Sequence, residues 1–520
     1  MAHTGSVRDA PALEEAREFP LQIEPWDEHN RALVEQVHPP DWTNPTPRGR
    51  YQMVVVGGGT GGLVTAAIGA ALGARVALVE RHLMGGDCLN VGCVPSKAIL
   101  SAARGWTAAR EAQERFGGPR VIGEGDFAAA MERMRRIRAG ISQVDSAERF
   151  SDLGVDVFLG EACFTGPDSL EVEGTRLHFR RAVIAAGSRP AVPPIEGLEE
   201  AGYHTNETIF SLTERPEHLL VLGGGPIGAE LAQAFARLGS RVTLLERGER
   251  ILSKDDPDAA RIVQIALQRD GVEILTGAEA NAVEEAGRER ILRYTRAGRS
   301  ASVTGDVLLV AIGRTPNVEG LGLQKAGVAY SKKGIEVDDR LRTTNRSIFA
   351  VGDIASKYQF THVADAQARI VVPNALFFGR GKASDLVIPW VTYTTPELAH
   401  VGITAEEVRE RRDVQTLTVP LEEVDRARLD GEEEGFFRVH LKKGSDRILG
   451  ATLVAEHAGE IISQITQAMT TGMGLGKLGE TIFPYPTQAE AIRKAADQWR
   501  RQKLNPLAKS VLQSYFRLMR

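Results

Sequence analysis

From residue 51 onward the apolar positions fall into short unbroken runs separated by glycine turns and by longer stretches at helical spacing, and one such unit occurs twice. In the first copy Met53 to Val56 is followed by Gly57-x-Gly59-x-x-Gly62, a small-residue stretch through Leu72, and Val76 to Val79 ending at Glu80. The second copy runs from Leu219 to Leu222, through Gly223-x-Gly225-x-x-Gly228 and a stretch ending at Leu238, to Val242–Leu245 and Glu246. Each predicts strand, tight turn, helix, strand. Further short strands run into turns at Gly187, at Gly313 and at Gly352-Asp353. After Pro389 the pattern changes to alternating strands near 436–441 and 448–454, then helices from Gly459, which predicts a separate α+β domain. A short helix is expected over 27–37, with Leu33, Val34 and Val37 on the body, and the prolines at 39, 40, 45 and 47 exclude regular structure behind it.

A lone Gly-x-Gly-x-x-Gly is a weak signal, but here each follows an apolar strand, opens a helix and is trailed 18 residues later by a carboxylate. The first glycine makes the turn, the second admits a pyrophosphate, and the third lets helix and strand pack closely. The helix N-terminus supplies N–H groups and the positive end of a dipole for the phosphates. Glu80 and Glu246 are placed to accept from an adenosine ribose, so the chain is read as α/β with two Rossmann-like dinucleotide-binding domains. Two dinucleotides in one chain imply electron transfer between them. Asp353 is a candidate for a cofactor polyol, against the alternative of a turn-forming Asx residue. The uncharged window 53–74 is long enough to span a membrane, but its seven glycines fit the strand, turn and helix better.

Composition narrows the classes. At 520 residues, 42% hydrophobic and 25% charged, the chain is an ordinary multidomain globular protein. Its formal charge of −5 offers no general field for nucleic acid, which is excluded as a partner. The N-terminus shows no secretory pattern, so the cytoplasm is expected. Residues 499–520 hold six basic residues and no acid, and after Pro506 the residues Leu507, Val511, Tyr515 and Leu518 recur at helical spacing. Such a basic amphipathic tail either packs on the subunits or touches the inner face of a membrane peripherally.

Only three cysteines occur. Cys88 and Cys93, in Gly85-Gly-Asp-Cys88-Leu-Asn-Val-Gly-Cys93-Val-Pro-Ser-Lys97, follow Glu80 closely at the predicted start of a helix, where a thiolate is stabilised. They are read as a redox pair, with a zinc half-site and two unrelated buried thiols as the alternatives.

With these residues in place the chain resembles the class I pyridine nucleotide-disulfide oxidoreductases over about residues 51–500. The resemblance implies that Gly57, Gly59, Gly62, Glu80, Gly187 and Asp353 hold FAD. It implies that Gly223, Gly225, Gly228, Glu246 and Gly313 serve the nicotinamide cofactor, NADH by the charge of Glu246, with NADPH as the alternative. It further implies a Cys88–Cys93 disulfide, with Cys93 against the flavin and Cys88 facing substrate, Lys97 near flavin N5 and paired with Glu230, and a homodimer sharing its active site. The segments expected are an arm (1–50), an FAD domain (51–199 and 317–385), an NAD(P) domain (200–316), a dimerisation domain (386–498) and the tail (499–520). Disulfide-reducing members carry a His five residues before a C-terminal Glu. Here Tyr485 stands before Glu490. That replacement resembles mercuric reductase and points to a soft metal ion, held transiently by Cys88 and Cys93, as acceptor. Dihydrolipoamide, another disulfide or a quinone, and a flavoprotein redox sensor, are the competing readings. Two departures stand against mercury itself: no cysteine pair ends the chain, and the arm carries none.

Overall fold

The computed structural model describes residues 23–503 and 506–519, so most of the first half of the expected arm lies outside the described residues. The chain forms two compact units.

The first unit comprises Met1–Gly86, Ala139–Arg189 and Thr315–Ala383. Tyr51–Val56 is central in its sheet, pairing in parallel with Val76–Glu80 on one side and Thr175–Ile184 on the other. Val155–Leu159 extends the sheet beyond Val76–Glu80, and Ile348–Ala350 pairs in parallel with Thr175–Ile184. Met53, Val54, Val55, Ala77 and Leu78 are fully buried, as unbroken apolar strands covered on both faces must be. Each such Val or Leu side chain contributes about 1.5–3 kcal/mol relative to exposure.

The described part of the arm is stitched to this unit. Its helix, Glu28–Val37, is capped by Asp27 accepting from Asn30 N at 2.9 Å and buries Leu33, Val34 and Val37 as the spacing predicts. Beyond it the chain has no regular element, yet Trp42 Nε1 donates to Val157 O and Asn44 pairs with both Leu159 N and O. The prolines exclude helix and strand but not docking.

The second unit comprises Asp87–Arg138, Pro190–Arg314 and Ser384–Arg520. Its parallel four-stranded sheet runs Val272–Thr276, Arg241–Glu246, His218–Leu222, Val307–Val310. An antiparallel sheet of Ala278–Ala286, Glu289–Arg296 and Arg299–Gly305, not expected from the pattern, follows. The segment between the two crossings closes on itself, since Ala191 N donates to Gly313 O at 2.9 Å. The C-terminal part is a five-stranded antiparallel sheet that includes Phe436–Lys442 and Ile448–Ala455, backed by Ala458–Thr470 and Glu490–Gln502. The last helix is Pro506–Leu518. No helix among the described residues is long and apolar enough to cross a membrane. The window 53–74 is strand, turn and helix, as the glycines require.

Candidate active site and cofactor cradles

The two glycine fingerprints have the same internal geometry. A Cβ on Gly57 would lie 2.4 Å from Ala185 O, and one on Gly223 would lie 2.5 Å from Ala311 O. On Gly62 and Gly228 it would lie 1.7 and 1.9 Å from the carbonyl oxygens of Gly57 and Gly223. These four glycines are demanded by the chain's own packing. The middle ones are not. Gly225 has nothing within 4 Å of its would-be Cβ, and Gly59 meets only Gly86 Cα at 3.7 Å. Their φ values of −73° and −78° are open to any residue. Space beside the N-termini of Thr60–Ala71 and Pro226–Arg237 is therefore kept free for something outside the chain, as a dinucleotide pyrophosphate requires.

Each carboxylate closes its turn in the same way. Glu80 accepts from Gly58 N at 2.5 Å and His82 N at 2.8 Å, and Glu246 accepts from Gly224 N at 2.7 Å and Gly248 N at 2.6 Å. Two N–H donors fix each carboxylate beside the fingerprint and leave it further acceptor capacity for a ribose hydroxyl. In the first unit Asp353, in the turn Gly352–Ile354, accepts from Ser188 Oγ at 2.6 Å, next to Gly187 at φ +65°. Ser188 thus tethers the turn-ending acid to the Gly187 turn, a pairing the pattern along the chain did not reveal. The residues present fit FAD and a nicotinamide dinucleotide.

The cysteine segment leaves the first fingerprint directly. Gly85 N donates to Gly58 O at 2.8 Å, and Cys88 follows three residues later. Cys88 lies in Gly86–Asn90, half-buried, and exposed Cys93 opens Cys93–Phe116. Between them Gly92 approaches so closely that a Cβ would lie 2.7 Å from Asp87 O. The loop is anchored within the second unit at three points. Asp87 pairs with Arg314, Asn90 O accepts from Arg138 Nη1 at 2.6 Å, and Val91 O accepts from Asn206 Nδ2 at 3.0 Å. Opposite charges beside Cys88 and Gly313 were the available signal for the first of these.

One turn on, Lys97 Nζ pairs with Glu230 Oε2 at 2.8 Å, the pairing that the resemblance implies. The structure adds Tyr393. Its ring centroid lies 4.6 Å from Lys97 Nζ, and its backbone N donates to Glu230 Oε1 at 2.8 Å. Burial alone would lower the proton affinity of Lys97, but Glu230 overrides it and the net shift is upward. Burial and the neighbouring carboxylates likewise raise Tyr393, against the opposing pull of Lys97.

Tyr485 and Glu490 are not bonded to one another. The exposed Tyr485 hydroxyl donates to Asp425 Oδ2 at 3.1 Å, and this bond raises the phenol above its ordinary value. Buried Glu490 pairs with Arg493 through Oε1, while its Oε2 has no hydrogen-bond partner among the described residues. Among the described residues no cluster of three or more His, Cys, Asp or Glu is arranged to hold a resident metal.

The profile of the pyridine nucleotide-disulphide oxidoreductases matches residues 51–368, and that of their dimerisation domain matches 388–496. The chain belongs to this family. Mercuric reductase of Lysinibacillus sphaericus is 35% identical over 449 residues, 86% of this chain and 82% of that one. Dihydrolipoyl dehydrogenase of Thermus scotoductus is 34% identical over 466 residues, 88% and 99% of the two chains. Among solved structures, the Cu(II) complex of the HOCl-induced flavoprotein disulfide reductase RclA from Escherichia coli superposes with a TM-score of 0.78. It is 30% identical and covers 87% of this chain and 100% of that one. The protein is an oxidoreductase of a family that is FAD-dependent with NAD(P)H as electron donor, and its dimerisation domain supports a homodimer.

Proposed function

We propose that this oxidoreductase passes electrons from a nicotinamide dinucleotide to the Cys88–Cys93 pair and from there to a soft metal ion as substrate. When bound, FAD supplies the two-electron relay between the nicotinamide and the thiol pair. In this reading the first fingerprint with Glu80 and Asp353 holds FAD, and the second with Glu246 holds the nicotinamide dinucleotide. A carboxylate at 246 accepts from a free 2′-hydroxyl and repels a 2′-phosphate, which favours NADH. Lys97, held charged by Glu230 and Tyr393, is a fixed cation one helical turn from Cys93. The N-terminus of Cys93–Phe116 favours negative charge at Cys93. The arm is assigned to the FAD part, to which its described residues are bonded.

The observation that carries the choice of acceptor is Tyr485 bonded to Asp425. Reducing a disulfide to two thiols consumes two protons, and a group titrating near neutrality must deliver them. Reduction of Hg(II) by a dithiolate gives the element and the disulfide, reduction of two Cu(II) gives two Cu(I) and the disulfide, and neither consumes a proton. A phenol raised above about 10 suits the second reaction and not the first. Soft ions also prefer thiolate ligands. The Cu(II) in the complex of the RclA reductase is in keeping with this chemistry.

The test is anaerobic NADH oxidation against Hg(II), Cu(II), lipoamide, oxidised glutathione and a soluble quinone, with Cys88→Ser alongside. Metal-dependent turnover that vanishes in Cys88→Ser, with FAD still bound, is expected. Turnover with lipoamide or glutathione alone would overturn the reading, and full metal activity in Cys88→Ser would remove the thiols from the path.

A further inference from the structure

The family's dimerisation domain ends at residue 496, and the helix Pro506–Leu518 lies beyond it. Every residue from 509 to 519 is exposed. At 3.6 residues per turn, Val511, Leu512, Tyr515, Phe516, Leu518 and the adjoining Met519 fall on one continuous face. Lys509, Ser510, Gln513, Ser514 and Arg517 occupy the other. Phe516 is 59% exposed and Leu518 87% exposed, so the apolar face is turned to solvent. An exposed apolar strip of this size on an otherwise polar helix marks a contact surface.

Three features select the occupant. Residues 499–520 hold six Lys and Arg and no Asp or Glu, a charge distribution complementary to anionic headgroups. The apolar face carries Tyr515 and Phe516, rings suited to the boundary between headgroups and acyl chains. A helix of 13 residues is about 20 Å long, too short to span a bilayer and long enough to lie in its surface.

We infer that Pro506–Leu518 is an interfacial helix that docks the enzyme on a membrane surface bearing anionic phospholipid. Its apolar face enters the acyl boundary, and Lys509 and Arg517 remain among the headgroups. One such helix gives weak, reversible binding. A homodimer would present two, and the second engagement is then intramolecular.

The experiment uses the FAD-loaded full chain and sedimentation with vesicles of phosphatidylcholine alone or of phosphatidylcholine and phosphatidylglycerol in equal parts. The wild type is expected to pellet with the anionic vesicles only and to be released as salt rises. Leu512→Glu and Phe516→Glu each place a carboxylate on the apolar face and should lower partitioning by about tenfold or more. Both should keep wild-type NADH oxidation, which confirms that they fold. Wild-type protein left in the supernatant with both vesicles, or bound equally to both, overturns the inference. So does a Phe516→Glu variant whose sedimentation velocity shows a smaller particle, since the face would then be covered by a second copy of the chain.

Discussion

Tyr393 shows how much one side chain can add to a site that sequence motifs mark only in part. Lys97 and Glu230 form an ion pair, but Glu230 is buried and would be poorly oriented by Lys97 alone. Tyr393 completes it from both ends, ring on the ammonium and backbone N–H on the carboxylate. Tyr393→Leu keeps the N–H and removes the ring, so a cation–π contact of about 1 kcal/mol is lost. Reduction of the cysteine pair, followed by stopped flow, is expected to slow by about fivefold, while Tyr393→Phe stays near wild type. Equal rates in all three proteins would leave the ring without a role. Tyr485 makes the opposite case, because there the residue is defined by what it does not do. Tyr485→His puts an imidazole of ordinary pKa about 6.5 beside Asp425 and Glu490. Turnover with lipoamide should then emerge, with a pH profile breaking near neutrality. If it stays absent while metal turnover persists, proton supply is not what separates the two acceptors.

At the level of elements, the glycines of one fingerprint can be separated experimentally. Gly225→Ala meets open space and an ordinary φ, so it should cost at most about 1 kcal/mol of stability while raising the KM for the nicotinamide cofactor. Gly228→Ala drives a methyl into a backbone carbonyl and should destabilise the domain by about 1–3 kcal/mol or more. Thermal melts and KM values measured side by side check both, and a Gly225→Ala protein with unchanged KM would show that the open space is not used. These turns and the strands feeding them were legible because fully buried parallel strands are unbroken apolar runs and the turns need glycine. The antiparallel sheet from Ala278 to Gly305 was not. Glu279, Glu284, Glu285, Arg293 and Arg296 are exposed there, on both faces of the strands, and hide the alternation among charges. The site divides in the same way. Cys88, Cys93, Lys97 and both carboxylates stand in local motifs, whereas Tyr393, Ser188 and Asp425 act through contacts between segments far apart in the chain, which no spacing rule records.

The molecule as a whole should be acid-sensitive through its C-terminal sheet. His400 in Glu397–Gly402 and His440 in Phe436–Lys442 are buried in the same sheet on either side of Ile448–Ala455, and desolvation holds both near a pKa of about 4, His400 further opposing charge on His440. Their folded values lie below the unfolded one, so the stabilisation is fully present above about pH 6.5 and is lost as pH falls toward 4. Melting temperature should drop across that window, and less steeply in His440→Gln. A parallel slope in the variant would assign the acid lability to other groups. The hydrogen bond from Ala191 to Gly313 carries a different implication. A segment whose first and last residues touch can be exchanged without changing the spacing of the flanking chain, but Asn206 and Glu230 inside it hold Val91 and Lys97 of the cysteine segment and have to be kept. A related segment that keeps Asn206 and Glu230 and bears a different acid or base at the position of Glu246 would change which nicotinamide is consumed with the cysteine loop still anchored, giving natural variation a route to new electron donors by recombination at two neighbouring joints.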